Sequence, residues 1–145
     1  MTIEKKQYLH MKKIIFFLLM SPLFMALLSF NKGGKFDVEA SITRGKQVYT
    51  LFCQNCHMDQ GQGLNNIYPP LAKADYLMAD KNRSILQVLE GAKGEMIVNG
   101  KKYSAPMAAI KLTDEQTSDV LNFVRNSFGN KGGAIKPEEV KKLRK

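Results

Sequence analysis

The chain has 145 residues, with 22 Lys and Arg against 13 Asp and Glu, two Cys, no Trp and 44% hydrophobic residues. That length holds one small domain with appendages, and two cysteines exclude a disulfide scaffold. The formal charge of +9 sits mainly at the ends: residues 1–30 carry +3, residues 130–145 carry +4 and residues 31–129 only +2, which argues against a nucleic-acid binder.

Residues 14–30, IIFFLLMSPLFMALLSF, carry no charge and follow Lys12–Lys13 directly. Seventeen residues is the lower limit for a bilayer span and Ser21–Pro22 interrupts the run, so residues 1–30 read as a signal peptide or an N-terminal membrane anchor. The rest of the chain is then exported: periplasmic, or held at the outer face of the cytoplasmic membrane through residues 14–30. Residues 31–40 are polar and Gly-bearing, a linker to a domain expected over 41–129. Ser41 caps a helix whose apolar face holds Ile42, Gly45, Val48, Tyr49 and Phe52, and which runs into Cys53. Gly, Asn and Pro then impose a loop, a short helix fits Leu71–Ala79, and Ser84–Glu90 forms another that Gly91 stops. Asn99–Gly100 marks the turn of a short β-hairpin over 96–103. Thr113 with Gln116 forms a capping box for a last helix that buries Val120, Leu121, Phe123, Val124 and Phe128 and stops at Gly129. The basic tail 130–145 either docks through Ile135, Val140 and Leu143 or extends as an appendage. The fold class is all-α: three to four short helices joined by long loops, too much loop for so small a core unless something large fills the centre.

Cys53-Gln54-Asn55-Cys56-His57 is C-x-x-C-H, the attachment sequence of c-type haem. Two thiols three residues apart on one helical turn can each add across a haem vinyl group, and the adjacent imidazole reaches the iron. A disulfide reading ignores His57, a thioredoxin-like pair needs a βαβ context that is missing, and a zinc site has only His10 to add. One covalent haem c is therefore the expected cofactor, with His57 as metal ligand. The sixth position decides between electron transfer and an open site. Among Met58, Met78, Met96 and Met107, the first adjoins the proximal His, and Met78 reads as core. Met107, in a loop after Pro106, is the first choice, and Met96 in the hairpin the alternative.

At these residues the chain resembles the class I monohaem cytochromes c, mitochondrial-type and bacterial. Gly45-Lys46-Gln47-Val48-Tyr49 before the haem motif resembles the family's first helix, and Asp119-Val120-Leu121-Asn122-Phe123-Val124-Arg125 its last. Tyr68-Pro69-Pro70-Leu71 resembles the Pro-x-Leu element, and Met107 stands at the place of the axial Met. The resemblance spans 41–129. The hairpin at Asn99-Gly100-Lys101-Lys102-Tyr103 resembles an insertion of some bacterial subfamilies.

The resemblance implies a small cytochrome c fold around the haem. The Pro69 carbonyl orients His57, Leu71 packs on the porphyrin and Met107 binds iron. Gly45 lets the first and last helices cross closely with Tyr49 and Phe123 stacked, and Leu64, Ile67 and Leu71 cover the haem. No residue set resembles a catalytic acid, base or nucleophile. The expected function is a monomeric electron carrier that moves one electron between exported or membrane-bound redox enzymes of a respiratory chain. Two alternatives stand: a cytochrome subunit of an oxidase, nitrite reductase or dehydrogenase, and an open-site gas sensor or peroxidase-like haem protein.

Overall fold

The structure, a computed structural model, describes residues 35–145, so the apolar run 14–30 and the reading of a signal peptide or anchor lie outside it. Among the described residues no helix is long and apolar enough to cross a membrane. They form, in chain order, α1 (Val38–Phe52), α2 (Gln54–His57), α3 (Asp75–Ala79), α4 (Lys81–Glu90), β1 (Met96–Val98), β2 (Lys101–Tyr103), α5 (Asp114–Arg125) and α6 (Pro137–Leu143). The architecture is the expected small, mostly helical one with a two-stranded antiparallel hairpin.

The frame is the crossing of α1 and α5. A Cβ on Gly45 would fall into the backbone carbonyl of Asp119 and 2.9 Å from Phe123 Cβ, so only glycine permits the approach. Next to it the rings of Tyr49 and Phe123 lie 5.3 Å apart, tilted by 53°. Phe128 completes the cluster at 5.3 Å from Tyr49 and 5.4 Å from Phe123, but from outside the helix. α5 ends at Arg125 instead of running on to Gly129, and the chain reverses through left-handed Phe128 and Gly129. An apolar residue at helical spacing need not be helical when a turn delivers it to the same cluster.

α1 begins inside the stretch read as linker. Its cap is Asp37, whose side chain accepts from Ala40 N at 3.0 Å, and Ser41 lies within the helix. The Ser41 hydroxyl is fully buried and donates to Asp119 Oδ1 at 2.6 Å, while Arg44 grips the same carboxylate through Nε at 2.7 Å and Nη2 at 2.9 Å. Both residues are good caps, and the choice was made by a partner 78 positions away. α4 likewise starts earlier than its apolar face suggests, because Asp80 accepts from Asn82 N and Arg83 N.

Of the helix expected over Leu71–Ala79 only Asp75–Ala79 forms, while the other local signals hold. Thr113 and Gln116 form the capping box of α5, and Asn99 and Gly100 take the positive φ angles of a tight hairpin turn. Residues 130–145 dock: Ile135 and Val140 are fully buried, and the Asn122 amide brackets Ile135, donating to its carbonyl at 2.8 Å and accepting from its N–H at 2.7 Å. The packed unit thus reaches well beyond Gly129.

Candidate functional site

On the proximal side, α1 passes into α2 with little break, since Cys53 N donates to Tyr49 O at 2.9 Å and His57 N to Cys53 O at 2.9 Å. Helical spacing puts Cys53, Cys56 and His57 on one side of the turn. His57 is buried, and its Nδ1 lies 3.0 Å from the Pro69 carbonyl. A carbonyl only accepts, so Nδ1 carries the proton and Nε2 keeps a free lone pair. Burial lowers the imidazole pKa and so favours the neutral, ligand-competent form, while the bond to Pro69 acts in the opposite direction. Burial also pushes the Cys53 thiol up to about 11, with the neighbouring Cys56 adding to the effect.

A tight loop carries Pro69 back to the imidazole. Met58, Gly61, Gly63 and Asn66 all have positive φ, Gly63 N donates to His57 O at 3.0 Å, and Leu71 N and Ala72 N both donate to Gly61 O. A Cβ on Gly63 would run into the Tyr68 carbonyl and come within 2.7 Å of the Pro69 carbonyl oxygen. The loop is further held by Tyr49, whose hydroxyl donates to Met58 O at 2.6 Å, and by Asn130, whose amide donates to Leu71 O at 2.8 Å.

On the other flank the chain after β2 forms a strap, residues 104–112. Met107 is not in free loop. It exchanges two backbone bonds of 2.9 Å with Ala92, an isolated antiparallel bridge. Ile110 N donates to Val88 O at 3.0 Å, which ties the strap to α4. Gly91, at φ +80°, allows this contact, because a Cβ there would strike the Met107 carbonyl.

Cys53, Cys56, His57, Pro69, Leu71 and Met107 all line one cavity of about 340 Å³, and so does Met96. Met58 and Met78 do not. Leu64 and Ile67 do not line it either and are nearly half exposed, contrary to their expected place over the haem. They belong to a turn closed by the Leu64–Tyr68 bridge, which leaves this stretch outside and delivers Tyr68, Pro69, Pro70 and Leu71 to the cavity. Most of the wall is hydrocarbon from Leu77, Val88, Val98, Val120, Leu121 and Val124, and no Asp, Glu, Lys or Arg contributes to it.

The donor set fits a haem. Two free thiols and an imidazole with an unengaged Nε2 open onto a large apolar cavity, and a thioether stands on its rim. The family model for cytochrome c matches residues 42–128. The chain belongs to the cytochrome c family. Members of that family bind haem c covalently and transfer electrons. The chain is 38% identical over 110 residues to cytochrome c-552 of Thermus thermophilus, a match covering 69% of this chain and 83% of that protein. It is 33% identical over 119 residues to the cytochrome c subunit of the quinone alcohol dehydrogenase of Gluconobacter oxydans, covering 79% of this chain but only 23% of that subunit.

Sequence reasoning missed residues that position the donor-bearing loops of the cytochrome's site. Asn130 acts through its side-chain amide on the Leu71 carbonyl and Ala92 through its backbone, and neither carries a local signature. Gly61, Gly63 and Gly91 were visible as glycines, but only the folded neighbours show which one is indispensable.

Proposed function

We propose that this cytochrome carries single electrons between exported or membrane-bound redox enzymes of a respiratory chain. Cys53 and Cys56 would form the two thioether bonds to the haem, and His57 and Met107 would supply the two ligands to its iron. The observation that carries this reading is one apolar cavity that collects both thiols, an imidazole oriented by Pro69 and a bridge-held thioether. Bound haem supplies a one-electron iron couple. The chain's own residues do the rest: Pro69 fixes the imidazole, the Ala92 bridge fixes Met107, and the hydrocarbon wall excludes water. A neutral thioether in a low-dielectric cavity favours the ferrous state, so the potential is expected to be positive. With no carboxylate, Lys or Arg on the wall, the lining offers little for acid–base chemistry, which supports a carrier over an enzyme. Export is supported by the apolar run 14–30 behind Lys12–Lys13.

The test compares two methionines. Wild type is expected to be low-spin in both oxidation states, to show the weak far-red sulfur-to-iron band when oxidised, and to bind carbon monoxide poorly. Met107→Ala should lose the band, lower the potential and bind carbon monoxide readily, while Met96→Ala leaves all three nearly unchanged. The reverse pattern makes the hairpin the ligand source, and a high-spin wild type makes the protein an open-site one.

A second reading, a cytochrome unit working within a dehydrogenase complex, is favoured by the likeness to the alcohol dehydrogenase subunit. Purification under mild conditions separates the two: co-purification with a dehydrogenase supports the complex, a free monomer the shuttle.

A further inference from the structure

The family match ends at residue 128, yet the chain continues into α6 and closes on the elements around the strap. Ile135 and Val140 are fully buried, and Leu143 packs against the same core. At the start of α4, Lys81 Nζ meets Glu139 Oε1 at 2.9 Å. Beyond α6, Arg144 donates through Nε to Asp114 Oδ1 at 2.6 Å and through Nη2 to the Leu112 carbonyl at 2.9 Å. Lys145 Nζ reaches Glu90 Oε1 at 2.9 Å.

Glu90 and Leu112 mark the two supports of the strap that carries Met107. Glu90 ends α4 just before Gly91 and Ala92, and Leu112 closes the strap just before the Thr113 cap of α5. Lifting Met107 away requires the Met107–Ala92 and Ile110–Val88 bonds to open, with the strap hinging at Leu112. Arg144 holds the support at Leu112, and Lys145 the one at Glu90.

We propose that the C-terminal segment is a brace for the strap, setting how readily a foreign ligand displaces Met107 from the iron. The proposal rests on the assignment of Met107 as distal ligand. Exposed ion pairs usually contribute little, because two long side chains must be ordered for a screened attraction. Here the burial of Ile135 and Val140 already fixes the helix from which Arg144 projects, so less ordering remains to be done. Arg144 also binds a backbone carbonyl, a contact that salt does not screen as it screens an ion pair. The brace is therefore centred on Arg144, with Lys145, whose side chain is largely exposed, contributing less.

The experiment uses the full holoprotein with Arg144→Gln, Lys145→Gln and the double variant, each also combined with Met107→Ala. Association of carbon monoxide with the ferrous protein and of imidazole with the ferric protein is followed, beside the urea midpoint for global unfolding. Arg144→Gln is expected to speed both associations about tenfold, Lys145→Gln less, with the far-red band still present without added ligand. In the Met107→Ala background the same changes should do nothing, because a brace acts only through the ligand it holds. Unchanged association rates in Arg144→Gln overturn the proposal. So does an equal acceleration with and without Met107, which would mean that the segment merely tightens the whole fold. If Met107→Ala alone leaves the band and the carbon monoxide kinetics of wild type intact, the ligand assignment itself falls, and the brace with it.

Discussion

Two stretches of this chain reach the same cavity by opposite means. Residues 53–71 hold both thiols, the imidazole and the Pro69 carbonyl within nineteen positions, and the bonds that shape them are nearly all local. The strap at 104–112 brings one thioether, and it is held by Ala92, Val88 and the end of the chain. The first stretch is stiff because four residues are committed to left-handed backbone and a buried imidazole closes the loop. The second is a span with two anchors in the middle and one at its Leu112 end. Local encoding suits a ligand that is never to leave, whereas a strap anchored at a distance can be tuned from outside the site.

Matched glycine substitutions sharpen that contrast and carry the largest expected effects. In Gly63→Ala a methyl meets the Tyr68 and Pro69 carbonyls at a positive φ, and these cannot retreat without releasing Leu64 N and His57 respectively. The expected cost is about 4 kcal/mol of global stability, combining backbone strain with overpacking. Urea unfolding of the holoprotein measures it, and a loss below about 1 kcal/mol would show that the loop is softer than its bonding implies. Gly91→Ala places its methyl against the Met107 carbonyl, with φ +80° and ψ −175°, a region that side chains avoid. Here the strap can yield, so the expected global loss is smaller, about 2 kcal/mol, and comes with weakening of the far-red band before the fold melts. If the band and the fold disappear together, the two regions are not separable units.

Tyr49→Phe comes next. It keeps the ring stacked with Phe123 and Phe128 but removes the donor to the Met58 carbonyl. Met58 is left-handed and begins the proximal loop, so its carbonyl loses the bond that holds the turn against α1. About 1.5 kcal/mol of stability should be lost, with ligand spectra unaltered, since the strap is untouched. Equilibrium unfolding combined with the oxidised spectrum decides it: a change in the far-red band would mean that proximal and distal halves communicate through the aromatic cluster.

The legibility of the sequence followed the same division. Cys53, Cys56 and His57 were readable because their chemistry lies in adjacent positions, and the Thr113–Gln116 box and the Asn99–Gly100 turn because each signal spans no more than four residues. Ser41 misled because its partner, Asp119, lies on another helix and the competing cap, Asp37, sat in what looked like linker. Leu64 and Ile67 misled because hydrophobicity shows only that a residue can be buried, whereas the Leu64–Tyr68 bridge decides which way it faces. Met107 was singled out for a supposed freedom of its loop. The structure instead pairs it with Ala92, fifteen positions upstream, so what holds its backbone beside the cavity is a bridge and not a free loop.

The smallest effect concerns the hairpin, which lies between the two regions in the chain and belongs mechanically to neither. Its turn is tied to α3 by a reciprocal pair: Asp75 N donates to Asn99 Oδ1 at 3.1 Å, and Asn99 N donates to Asp75 Oδ1 at 2.7 Å. Both residues are exposed, so each lost bond is largely replaced by water, and Asp75→Ala should cost only about 0.5–1 kcal/mol. Asp75 also sits in the first turn of α3, where a negative charge is favourable, so the alanine variant mixes two losses. Asp75→Asn separates them, because it keeps an acceptor for Asn99 N and removes only the charge. Hydrogen exchange at the hairpin should therefore accelerate in Asp75→Ala and hardly at all in Asp75→Asn, with the strap amides of Met107 and Ile110 unchanged in both. Acceleration of those strap amides in the alanine variant would make the hairpin a third anchor for Met107 and move it to the distal side of the comparison.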